Sequence, residues 1–145
     1  MSVDHFPQAI FCADPSLTGE ESAFVTLRVD VQKVLKSYQK SLFAFEWIDP
    51  ATGILKPLAA LGAAQAAGRA DIEAKWRCGT ALPQPVLGIG LLESVEIGSG
   101  RAVFMTLAAH GVRDMPVHVP AAMFAALHKF AVIPVKEEKA GNIKA

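Results

Sequence analysis

Lysine and aromatic side chains carry the best chemistry in this sequence. Lys33, Lys36 and Lys40 fall together on one face of an expected helix, and Phe43, Phe45 and Trp47 alternate directly after it. Read as a strand, residues 43–48 place all three rings on one side, with Lys56 on a return strand beyond the turn Asp49-Pro-Ala-Thr-Gly53. Rings on a sheet beside cations suit single-stranded nucleic acid. Bases stack on the rings at about 1–3 kcal/mol each while the cations follow the phosphates. Burial in a core is the commoner fate of three rings on one strand face, and the exposure of Trp47 separates the two outcomes.

Catalytic groupings are weaker. His110 and His118 bracket a turn containing Asp114, but the set is short of the three or four ligands that hold zinc. Arg77-Cys78-Gly79-Thr80 matches no nucleophile context, and Cys12 and Cys78 lack metal-type spacing, which reads as free thiols in a reducing compartment. Glu93 and Glu96 would face opposite sides of one strand. Gly88-Ile-Gly90 lacks the third glycine and following helix of a dinucleotide site. The expectation is a non-catalytic binding protein with no metal and no cofactor.

The chain has 145 residues, enough for one domain with a proper core. Apolar residues make up 52% and charged residues 19%, an apolar excess over an average soluble domain. No apolar run approaches a membrane span, and the first residues lack a signal peptide's basic start and apolar centre, so the expected location is cytoplasmic. Net charge is zero, which removes the general argument for nucleic-acid binding from a basic domain. Charge is nevertheless uneven, since Asp4, Asp14, Glu20 and Glu21 make the start acidic while basic residues outnumber acidic ones from Arg28 to Arg77.

These side chains have to be positioned by a modest set of elements. Residues 1–22 read as irregular, 23–29 as a strand, and Asp30 as the cap of a helix with Val31, Leu35 and Tyr38 on its apolar stripe. Leu58–Trp76 reads as an alanine-rich helix, broken near Gly62 or Gly68. Residues 86–97 and 101–109 read as a hairpin through Gly98-Ser99-Gly100, with Glu93 anomalous on its apolar face. Val117-His-Val119 follows as a short strand, Pro120 opens a last helix bearing Met123, Phe124 and Leu127, and 135–145 reads as a polar, disordered tail. The fold class implied is α+β: one domain over 1–134, with a twisted antiparallel sheet or a small open OB-like barrel and about three helices.

Val86-Leu-Gly-Ile-Gly-Leu-Leu, followed by Gly100-Arg-Ala-Val-Phe-Met-Thr-Leu-Ala-Ala109, resembles the opening strands of bacterial single-stranded-DNA-binding proteins with an OB-fold. The resemblance is confined to residues 86–109. The turn is shorter than that family's, long sequence precedes the hairpin, and the base-stacking aromatics are missing from the matching positions, so no functional residue carries over.

Two function classes follow. One is a module that binds single-stranded nucleic acid through Lys33, Lys36, Lys40, Phe43, Phe45, Trp47 and Lys56. The other is a homo-oligomeric adaptor or regulatory protein that touches no nucleic acid and works through the alanine-rich helix and the Met123/Phe124/Leu127 face. The apolar excess makes a homodimer the expected state under either.

Overall fold

The computed structural model describes residues 6–132. Within them the order is β1 (Phe11–Cys12), β2 (Phe24–Asp30), α1 (Val31–Tyr38), α2 (Ala63–Arg77), β3 (Leu82–Pro83), β4 (Val86–Ile89), β5 (Val95–Ser99), α3 (Arg101–Ala109), β6 (Asp114–Pro120) and the single turn α4 (Phe124–Leu127). The polar tail expected over 135–145 lies outside the described residues, as do residues 1–5 and 133–134.

α1 begins where its cap requires. Asp30 is extended, and its carboxylate accepts the Lys33 N–H at 3.1 Å, satisfying one of the unpaired amides of the first turn. Val31, Val34, Leu35 and Tyr38 are buried, which leaves Gln32, Lys33 and Lys36 toward water. β2 precedes the helix directly, so the cap also fixes the helix against the sheet.

The main sheet has the order β2-β6-β4-β5. β2 and β6 pair antiparallel along their whole length, from Phe24 opposite Pro120 to Asp30 opposite Asp114. β4 meets β6 in parallel at Val86 and His118, and pairs antiparallel with β5. The class is α+β, but the sheet is mixed and open rather than purely antiparallel, and it does not close into a barrel. A separate two-stranded parallel pair, β1 with β3, ties the N-terminal segment down.

Three expectations are corrected. Residues 101–109 form a helix, not the second strand of a hairpin, and this helix stands where the resemblance to single-stranded-DNA-binding proteins placed a strand. Val103 to Ala108 are all buried, so the helix has no polar face and no amphipathic period to reveal it. The real hairpin turn lies inside the segment read as one long strand. The Glu93 N–H donates to Gly90 O and the Gly90 N–H to Ser94 O, both at 2.9 Å, closing a three-residue loop of Leu91, Leu92 and Glu93. Glu93 therefore faces solvent, and its misfit in the alternation marked a turn. Lastly, residues 43–48 are not a strand. They wind through a short 3-10 turn, Ala44–Glu46, and rejoin extended chain only at the Ile48–Leu55 bridge.

One apolar cluster joins the sheet to the helices, with Tyr38, Trp47, Trp76, Phe104 and Leu107 among its large members. α3 packs on α2, where Gly68 brings the helices close; a Cβ there would lie 3.4 Å from that of Ala102. No helix among the described residues is long and apolar enough to cross a membrane.

Candidate anion-binding cleft

A cleft of about 470 Å³ lies along the polar side of α1. Lys33, Lys36 and Lys40, with Ser37 and Gln39, form one wall. Lys33 and Lys36, three residues apart, share one face of α1, and Lys40 follows in the turn directly after the helix. Lys129 and Phe130 form a second wall. They are held there by the Val29–Ala131 bridge and by the Val132 N–H donating to Arg28 O at 3.0 Å. Glu93 completes the lining from the β4–β5 turn, and that turn is tied to the helix by the Val95 N–H donating to Ser37 Oγ at 2.9 Å.

Four ammonium groups thus share one cleft with a single carboxylate. Among the described residues none of the four lysines has a carboxylate oxygen within 4.0 Å. Lys129 Nζ lies 5.4 Å from the Phe130 ring centre, but clustered cations without internal ion pairs repel one another, and an anion entering the cleft relieves that repulsion. A cleft of this volume falls in the general range of small-ligand sites.

The other sequence-derived site residues divide. Phe43 and Phe45 are 50% and 55% exposed on the turn after α1, outside the cleft lining. The Arg101 guanidinium lies 5.7 Å from the Phe43 ring centre, so that ring already sits beside a cation. Trp47 is a correction: at 6% exposed it belongs to the core and offers no face to a base. Lys56 is half-buried away from the cleft, and its backbone N–H donates to Trp47 O. Sequence reasoning missed Lys129 and Glu93 as members of this lining. Lys129 carries no local signal, because long-range pairing alone brings it opposite α1.

The histidines are occupied separately. His110 Nε2 lies 2.8 Å from the Glu73 carboxylate, which also accepts from Arg69, while Asp114 pairs with Arg28. Asp14, Ser99 and His118 come together without forming a nucleophilic triad. The Ser99 hydroxyl donates to Asp14 at 2.9 Å, whereas His118 Nε2 accepts the Asp14 backbone N–H at 3.3 Å. No hydrogen bond joins serine to imidazole, so the group fastens the N-terminal segment over the sheet. Cys12 and Cys78 are exposed free thiols, and no group of three metal-type ligands occurs among the described residues.

This fastening gives stability a pH dependence. Burial pushes His118 below its usual 6.5, with the Asp14 carboxylate partly opposing. Burial also raises the Asp14 carboxyl, but hydrogen bonds from Ser16 and Ser99 and the nearby imidazole outweigh it and hold it below 3.8. Both folded values are depressed, so both contributions are complete at neutral pH. The His118 contribution declines as pH falls from 6.5 toward its folded value, and the Asp14 contribution fades below 3.8. Urea midpoints measured from about pH 7 to pH 3 should drop in these two stages. Burial raises the Glu73 carboxyl too, but hydrogen bonds with His110 and Arg69 hold it below 4.5, so it adds to the lower stage. His118→Gln should remove the first. An unchanged first stage in that variant would assign it to another group.

Comparison of the chain with protein-family models, with curated proteins and with solved structures finds no significant match.

Proposed function

We propose that the chain is a non-catalytic protein of the cytoplasm that binds single-stranded nucleic acid, with backbone phosphates in the lysine cleft and bases stacked on Phe43 and Phe45. The observation that carries this reading is the gathering of Lys33, Lys36, Lys40 and Lys129 around one cleft without internal ion pairs. A neutral protein binds a polyanion only where its cations are concentrated, and here they are. Exposed rings three and five residues beyond Lys40 favour a single strand, because only unpaired bases present their faces. Trp47 and Lys56 drop out of the binding set.

Salt dependence tests it. A short labelled oligonucleotide should bind the wild type at low salt, with log Kd linear in log salt concentration. Replacing Lys36 and Lys40 by glutamate should flatten that slope by about 0.7 for each phosphate no longer neutralised. Both residues are exposed, so the fold should be unaffected. A wild type indifferent to oligonucleotides at low salt, or an unchanged slope, would end this reading.

Protein association is the second reading, favoured by Leu42, Ile54, Leu91 and Leu92, all exposed apolar side chains. α2 also presents Ala63, Ala64, Ala67, Ala70 and Ala74 to solvent, a flat small-residue face. Of the Met123/Phe124/Leu127 face, Leu127 is buried and Met123 half-buried, while Phe124 stays exposed. Sedimentation at high micromolar concentration should show a homodimer; a clean monomer would remove this support.

A further inference from the structure

We infer that Glu93 makes the cleft selective for ribose, so that the ligand is RNA rather than DNA. This rests on the nucleic-acid reading and goes one step past it. A site built only to hold phosphate has no use for a carboxylate, which repels the ligand it faces. Glu93 nevertheless lines the same cleft as the four lysines.

The backbone makes its presence more informative. Glu93 has φ 59°, and it is the one non-glycine residue with positive φ among those described. Glycine occupies the other left-handed positions at 19, 53, 79, 100 and 111. The third residue of this kind of hairpin loop has to be left-handed, and glycine or asparagine serves there with less strain. Glutamate therefore sits where the turn alone would select against it. Its side chain has no hydrogen-bond or ion-pair partner among the described residues, so no structural task accounts for it.

What an ionised carboxylate adds to a phosphate cleft is acceptor capacity for hydroxyl or amino donors. In a nucleic-acid chain the sugar adjoins each phosphate, so the donor nearest a bound phosphate is the ribose 2′-OH. That hydroxyl is also the group that separates RNA from DNA. A base amino group would be the other donor, and it would appear as a sequence preference shared by RNA and DNA.

The test is binding anisotropy with RNA, DNA and 2′-O-methyl RNA of one sequence. The methyl group removes the donor while keeping the ribose. Wild type should bind RNA about tenfold more tightly than the other two, the yield of one hydrogen bond to a charged group. Glu93→Gly should erase that preference by raising DNA affinity and lowering RNA affinity, and its melting temperature should rise as the strained turn relaxes. Glu93→Gln, neutral but still an acceptor, should fall between. Equal wild-type affinity for RNA and DNA would overturn the inference and leave the nucleic-acid reading standing. So would Glu93→Gly tightening both ligands by one factor, which would make the carboxylate a mere repulsive charge. A wild type that binds no oligonucleotide would overturn both.

Discussion

Trp47→Ala is expected to lower folding stability by about 3–5 kcal/mol, the cost of emptying a large aromatic site from a packed core. The indole is buried, and the chain around it is held on both sides: the Trp47 N–H donates to Ala44 O at 2.9 Å and Trp47 O accepts from the Lys56 N–H at 2.8 Å. That backbone clasp limits how far the site can collapse around the missing ring. Against a usual domain stability of about 5–15 kcal/mol, the loss is a large share. Chemical denaturation measures it. Phe43→Ala should behave oppositely, with a stability change within about 0.5 kcal/mol but oligonucleotide affinity weakened several-fold as base stacking disappears. A Trp47→Ala protein as stable as wild type would place the ring outside the core. A destabilised Phe43→Ala protein with unchanged affinity would move Phe43 into it.

Gly100→Val should cost about 2–5 kcal/mol, from two separate causes. Gly100 has φ +81°, where an L residue is strained by about 1–2 kcal/mol. An added Cβ would also stand 2.8 Å from Pro85 Cα, a backbone atom that cannot swing aside, so a shift of the kind overpacking forces adds about 1–3 kcal/mol. Gly98→Ala is the control, since its Cβ would meet nothing nearer than Val86 O at 3.9 Å. Similar melting shifts for both variants would mean that Gly100 is not the constrained residue. Ser99 is no neutral control here, because its hydroxyl serves Asp14.

Local signals were legible wherever one side chain answers a local need. Asp30 caps α1, Gly53 takes φ +74° in the turn after Asp49, and Gly62 stands at the start of α2, near the break anticipated there. That Lys33 and Lys36 share a face of α1 followed from periodicity alone. What failed were the places where surroundings decide. Val103–Ala108, most of α3, is buried on every side, so the same letters serve a helix or an inner strand. Phe43, Phe45 and Trp47 alternate in sequence, yet a 3-10 turn separates two exposed rings from one buried one. The far half of the cleft was illegible for another reason: Lys129 reaches α1 only through strand pairings between distant parts of the chain.

The sheet order also constrains how the chain is made. β2, which is synthesised well before β6, has β6 as its neighbour in the sheet, and β6 also bridges to the β4–β5 hairpin. Until residue 120 emerges, the central strand is missing, and β2 and the hairpin are two fragments with unsatisfied edges. Helices α1 and α2 can form during translation, but the sheet that joins them is assembled last. Completion of the sheet therefore waits on β6 and on long loop closures, and ribosome-stalled chains ending before β6 are the species most exposed to edge-to-edge aggregation.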